Sequence, residues 1–170
     1  MSITIAAVGD LVLDEPDPAF FLEPATALLS RADLSIGHVE VPHSHTTVQA
    51  SLDVPAPPAD PTALTDVAAA GFGVVTLAGN HIYDAGPDGV NDTVRHARAA
   101  GMLTTGAGEN LAAAIEPAIF QAQGTTIGVL SFNCVGPRES WAASQKAGAA
   151  YVHGQAPWSG VAILRRGIRR

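Results

Sequence analysis

Short apolar runs set between stretches of helical spacing constrain this chain more than any other feature of its sequence. Ile3-Thr4-Ile5-Ala6-Ala7-Val8, Leu34-Ser35-Ile36-Gly37 and Val74-Val75-Thr76-Leu77-Ala78 are the clearest of them. Runs of this kind read as strands of a parallel sheet buried on both faces. In such sheets ligands bind beyond the carboxyl ends of the strands, where successive turns bring together residues distant in sequence. Asp10, Glu40 and Asn80 each sit just past the end of one run, and His81 follows the last of them. A carboxylate, a second carboxylate and an Asn-His pair therefore converge, as a divalent-metal site requires.

The expected order is strand, helix, strand, long loop, helix, strand, helix, strand and then two more strands. This is an α/β chain whose early part reads as a doubly wound, mostly parallel sheet flanked by helices. Asp17 is the expected N-cap of a first helix over about Pro18–Ser30, with Pro24 placed to kink or split it. Pro42 to Pro58 has loop composition. A second helix is signalled by Asp60 as cap, Pro61 at its start and Gly71 beyond its end. A third, from about Asp88 to Ala100, places Val90, Val94 and Ala97 on one face and stops at Gly101. Met102 to Thr105 then forms a strand, Asn110 caps a short turn through Ala114, and Ala118–Gln121 with Thr126–Phe132 forms a hairpin turning at Gly124. Beyond Gly136 periodicity fades, and Gly160 to Leu164 reads as a last strand before a basic end.

With 170 residues, the chain is long enough for one domain with a sizeable core. No stretch is apolar enough to span a bilayer, and the N-terminus carries no basic region with a cleavable apolar segment, so a soluble, cytoplasmic protein is expected. A formal charge of -7 with only nine Lys and Arg argues against a nucleic-acid partner. Four of those cations, Arg165, Arg166, Arg169 and Arg170, are in the basic end, which leaves the remainder strongly acidic. Cys134 is the single cysteine, so an intrachain disulfide and a thiolate cluster are excluded, and its place after an apolar strand predicts a buried, inert thiol.

Val8-Gly9-Asp10 offers a carboxylate on a tight Gly turn, suited to Mn, Mg, Zn or Fe; an Asp there also commonly just caps a turn. His38-Val39-Glu40 supplies the second carboxylate at a strand end, and the following Pro42-His43-Ser44-His45 adds imidazoles that read as solvated loop residues. The strongest local signal is Ala78-Gly79-Asn80-His81-Ile82-Tyr83-Asp84-Ala85-Gly86. The Asn80 carbonyl oxygen can ligate a cation, and His81 can face a phosphate or donate a proton to a leaving group. Asp84 lies close enough in sequence to orient that imidazole. The expected metal ligands are thus Asp10, Glu40 and Asn80, and the expected catalytic pair is His81 with Asp84.

Val8-Gly9-Asp10-Leu11-Val12-Leu13, His38-Val39-Glu40-Val41-Pro42 and Gly79 to Gly86 together resemble the successive motifs of the CapA capsule-synthesis proteins. These are also called poly-gamma-glutamate synthesis proteins and are distant relatives of the calcineurin-like metallophosphoesterases. Gly106-Ala107-Gly108-Glu109-Asn110 and Glu116-Pro117 resemble the next family segment, and the likeness covers most of residues 3 to 152. It implies a metallophosphoesterase-like layered sandwich in which Asp10, Glu40 and Asn80 hold metal and His81 is the phosphate-facing acid. The chain departs from the family at His38, where Asn is usual, and at Gly79, where Asn or a similar residue is common. Family members also continue for roughly another hundred residues, about a domain's length, with later His-containing motifs. The resemblance thus reads this chain as a copy shortened at its C-terminal end.

Three functions follow as expectations. The first is a metal-dependent hydrolase acting on a phosphoester-type small substrate or an anionic polymer. The second is a non-enzymatic component of capsule or poly-gamma-glutamate assembly, although family members in that role are often membrane-anchored or exported. The third is an inactive short copy. Uncovered apolar edges would favour a homo-oligomer.

Overall fold

The computed structural model describes residues 2–51 and 56–153. The predicted Gly160–Leu164 strand and the basic end lie outside these residues. The elements run β1 (Ile5–Leu11), α1 (Pro18–Leu29), β2 (Leu34–Val39), α2 (Ala63–Ala69), β3 (Val74–Thr76), α3 (Gly86–Ala99), β4 (Leu103–Thr105), β5 (Ala107–Gly108), α4 (Leu111–Ala114), β6 (Ala118–Ala122), β7 (Thr125–Val129), a 3₁₀ turn at Arg138–Ser140 and β8 (Gly148–Ala149). The first four strands form one parallel sheet in the order β1-β2-β3-β4.

That order corrects the doubly wound expectation, because the strand sequence never reverses. Right-handed crossovers taken repeatedly in one direction place every connecting helix on the same side. The packing agrees. Leu22 and Leu29 of α1, Leu64 and Val67 of α2, and Val90 and Ala97 of α3 share one core with Val39 and Val75 of the sheet. The opposite face takes the β6–β7 hairpin, whose Phe120, Ile127 and Val129 pack on Leu34 and Val74. The result is three layers: helices, parallel sheet and hairpin. Leu64, Val67, Val74, Val75 and Val90 are fully buried, and burial of each such side chain contributes about 1.5–3 kcal/mol.

Local chemistry explains most of the boundaries. In α3 the buried face carries Val90, Thr93 and Ala97, and the helix gives way at Ala100 and Gly101, whose φ of +93° only glycine adopts without strain. Asn110 caps α4 by accepting from the Ala113 N–H at 3.0 Å. The hairpin turns through Gln123 and Gly124, both with positive φ, the torsions that a tight two-residue connection needs.

Several expectations change. Asp17 precedes α1 but is left-handed, with φ +58°, and its side chain caps nothing. Pro24 lies inside a continuous α1; it and Phe20 are both exposed, so the carbonyl robbed of its partner stays near solvent. Asp60 caps a preceding turn, accepting from the Thr62 N–H at 2.8 Å, and α2 starts only at Ala63. His43 is wholly buried because the loop around it bonds to Ala59 and to Thr93 of α3. Cys134 is exposed and not the buried thiol expected, since β7 ends at Val129 and Cys134 lies beyond it.

Candidate metal centre

Asp10 reaches the site through a β-bulge and not through a turn. Ala7 pairs with Ile36 and Asp10 with His38, so Val8 and Gly9 together oppose the single residue Gly37. Strict alternation would place Asp10 on the same face as Ala6 and Val8 and aim it at the helices. The extra residue resets the alternation. Leu11 consequently packs into the helix-side core, and Asp10 shares a face with its register partner His38.

Donor atoms of Asp10, His38 and Glu40 all lie within 4.8 Å of one another. Nε2 of His38 is 3.4 Å from Oε2 of Glu40, while Oε1 of the same carboxylate is 3.9 Å from Nε2 of His81. Donors sharing one ion at about 2.1 Å each stand no more than about 4.2 Å apart. Small side-chain rotations would therefore close this group around a cation. Two carboxylates and an imidazole form a donor set that fits a divalent transition metal.

Glu40 directly follows β2, as expected, and His81 sits in the turns that follow β3. There the backbone folds tightly, with Asp84 N–H donating to His81 C=O at 2.9 Å and Gly86 N–H donating to Tyr83 C=O at 2.8 Å. This winding brings Nδ1 of His81 to 2.7 Å from Oδ2 of Asp84. Asp84 is buried and its Oδ2 also accepts the Ala56 N–H at 2.7 Å, which fixes the carboxylate from a second loop. Asn80 stands beside His81 in the same turn. Gly136, with φ +83°, presses against it so closely that a Cβ there would lie 2.6 Å from the Asn80 Cβ.

Tyr83 and Lys146 form a wall next to this turn, with Nζ of Lys146 4.0 Å from the ring centre. Burial pushes the Tyr83 phenol up and the Lys146 ammonium down, the latter opposed by the charge of Glu139. Lys146 also donates to the Trp141 carbonyl at 2.8 Å, tying the wall to the chain around the 3₁₀ turn.

A family model described as bacterial capsule synthesis protein PGA_cap matches residues 4–166. The chain belongs to that family. A search of curated proteins returned no match. The PGA_cap match spans every element of the centre, from the bulge at Asp10 through Glu40 to the Asn80-His81 turn. Among the described residues, no helix is long and apolar enough to cross a membrane.

Asp10, Glu40, Asn80, His81 and Asp84 were all named from the sequence, and Asn80 stands next to His81 in the same turn. His38 was not named as a ligand. Its signal was available in the pattern His38-x-Glu40, two donors at i and i+2, but the second donor lies just past the strand and swings back toward the first.

Proposed function

We propose that this capsule-synthesis protein carries a divalent-metal hydrolase centre of the phosphoester type, acting on a phosphoester-type small substrate or on a phosphoester bond of an anionic polymer. The observation that carries the reading is the convergence of Asp10, His38 and Glu40 beside an Asp84-braced His81. Asp10, His38 and Glu40 would hold the cation, with the Asn80 carbonyl oxygen as a further donor. A divalent cation held there would supply Lewis-acid polarisation of a phosphoryl oxygen and a lowered pKa for a water at the site.

The chain's own residues do the rest. Asp84 accepts the Nδ1 proton of His81 and fixes the ring, which leaves Nε2 to exchange a proton with a substrate oxygen. The Ala56 N–H on the same carboxylate oxygen stops Asp84 from rotating away. His81 is only partly exposed, at 28% for its side chain, so its reactive edge meets solvent over a narrow arc.

A binding or assembly role without turnover is the second reading. It is favoured by the single group of three ligating side chains found among the described residues, enough for one ion and short of a two-metal centre. Thermal unfolding with EDTA and then with Mn²⁺, alongside p-nitrophenyl phosphate hydrolysis, separates the two. A metal-dependent rise in melting temperature, lost in Asp10→Ala and accompanied by turnover that His81→Ala abolishes, supports the hydrolase. The same rise without turnover supports a binding role with a structural cation, and a cooperative melt indifferent to metal removes the hydrolase and leaves a metal-independent assembly role.

A further inference from the structure

His38 is gripped from two sides. Its Nδ1 lies 3.0 Å from Oγ1 of Thr76, its direct register partner on β3. That hydroxyl also reaches the Gly37 carbonyl, at 3.4 Å. A Thr hydroxyl 3.0 Å from Nδ1 can donate to it or accept from it, and a cation on Nε2 would select the second arrangement, with the ring hydrogen on Nδ1 held by Oγ1 of Thr76. Nε2 is the atom that faces Glu40.

Gly79 closes the other side. A Cβ at this position would lie 3.1 Å from Nε2 and 3.5 Å from Cε1 of His38, with the Glu40 carbonyl at 3.7 Å behind it. Gly79 is absent from the glycines with positive φ, so its torsions do not require glycine. A side chain there would instead press the imidazole aside by a few tenths of an ångström. The His38 and Gly79 positions are thus sterically coupled, and Thr76 gives Nδ1 a fixed hydrogen-bond partner.

We infer that Thr76 and Gly79 are positioning residues that present His38 as a nitrogen ligand, so that the centre takes a borderline cation such as zinc, iron(II) or cobalt(II) in preference to magnesium. The inference rests on the metal-site reading above. Imidazole favours zinc and iron, whereas a cage of carboxylates and carbonyls suits magnesium, calcium and manganese. An imidazole held by a partner on Nδ1 presents Nε2 in a fixed direction, and a partner that orients a ligating histidine is typically worth roughly 10- to 100-fold in metal affinity.

The test uses the whole chain, titrated with Zn²⁺, Co²⁺ and Mg²⁺ and followed by thermal unfolding and, for Co²⁺, by visible absorption. Pulsed electron paramagnetic resonance of the Mn²⁺-loaded protein reports directly whether a nitrogen touches the ion. Wild type is expected to bind Zn²⁺ at least roughly tenfold more tightly than Mg²⁺ and to show nitrogen coupling. His38→Asn should remove the coupling and most of that preference. Thr76→Val and Gly79→Ala should each weaken Zn²⁺ binding by roughly 10- to 100-fold, with Thr76→Ser restoring it.

Metal binding that Asp10→Asn abolishes but that shows no nitrogen coupling in wild type overturns this inference and removes His38 from the ligand set, while leaving a cation site on the Asp10 and Glu40 carboxylates. Full Zn²⁺ affinity in both Thr76→Val and Gly79→Ala overturns the positioning roles. Absence of any metal binding by wild type overturns the inference together with the metal-site reading. Absence of coupling in wild type decides against the inference without any variant, and coupling retained in a folded His38→Asn, where His81 would be the nitrogen, decides against it as well.

Discussion

His43 sits at 0% exposure with its backbone N–H donating to Thr93 Oγ1 at 2.8 Å, Nδ1 3.0 Å from the Val41 carbonyl, and Nε2 without a partner. Burial holds its pKa down to about 4, with His96 adding to the depression and the Val41 carbonyl and Asp60 opposing it. The unfolded chain takes up this proton near pH 6.5, whereas the native state resists until about pH 4. Stability from this group is therefore complete above about pH 6.5 and falls as pH drops toward 4, by about 3 kcal/mol in all. Urea unfolding of wild type and His43→Leu across that range checks it: the variant is less stable at neutral pH and shows a flatter decline. Asp84 acts differently, since its Oδ2 serves both His81 and the Ala56 N–H. Asp84→Ala strands a backbone donor and should cost about 1–3 kcal/mol, read from the urea midpoint at constant slope. Neither buried state was legible in the sequence. The flanking Pro, Ser and Thr around His43 describe a solvated loop equally well, and only the Ala59 and Thr93 contacts decide against it.

Among the elements, those with strong local signals stood where the sequence placed them. The third helix showed both its apolar face and its terminal glycine, the hairpin its turn, and α4 its capping Asn110. The bulge in β1 was hidden because Val8-Gly9 reads equally well as the end of a strand, and only the pairing with β2 reveals one extra residue. Winding was hidden for a related reason: strand order belongs to the whole sheet, and no single crossover announces the direction of the next. Glycines also divide by element. Gly124 has φ +76° with nothing within 4 Å of a Cβ, so Gly124→Ala bears torsional strain alone, about 1 kcal/mol. Gly106 combines φ +98° with a Cβ position 2.7 Å from the Ala78 backbone nitrogen. Gly106→Ala should therefore cost more, about 2–4 kcal/mol. Because Ala78 leads into the Asn80-His81 turn, it should also weaken any metal-dependent rise in melting temperature, which Gly124→Ala should leave intact.

Across the whole molecule, the candidate centre was legible where residues stand at strand ends, as with Glu40 and the Asn80-His81 turn. It was not legible where the decisive partner comes from a neighbouring strand, as with Thr76 on His38. The layers themselves carry a last consequence. The hairpin covers β2 and β3 through Leu34 and Val74, while Ile5 of β1, whose register partner is Leu34, remains 48% exposed. Beyond β7, Leu130 and Phe132 are exposed at 58% and 43%. Among the described residues, β7 pairs only with β6 and its other edge has no strand partner; together with that apolar surface, this favours pairing with another chain. A formal charge of -7 opposes contact between copies at low ionic strength, and salt screens that repulsion while leaving the apolar attraction in place. Self-association should therefore rise with both protein concentration and salt, and Leu130→Lys with Phe132→Ser should suppress it without lowering the melting temperature, because neither side chain is buried in the monomer. Light scattering after size exclusion reads the mass directly. A monomer mass independent of concentration and salt would mean that the exposed sheet face is tolerated in water as it stands.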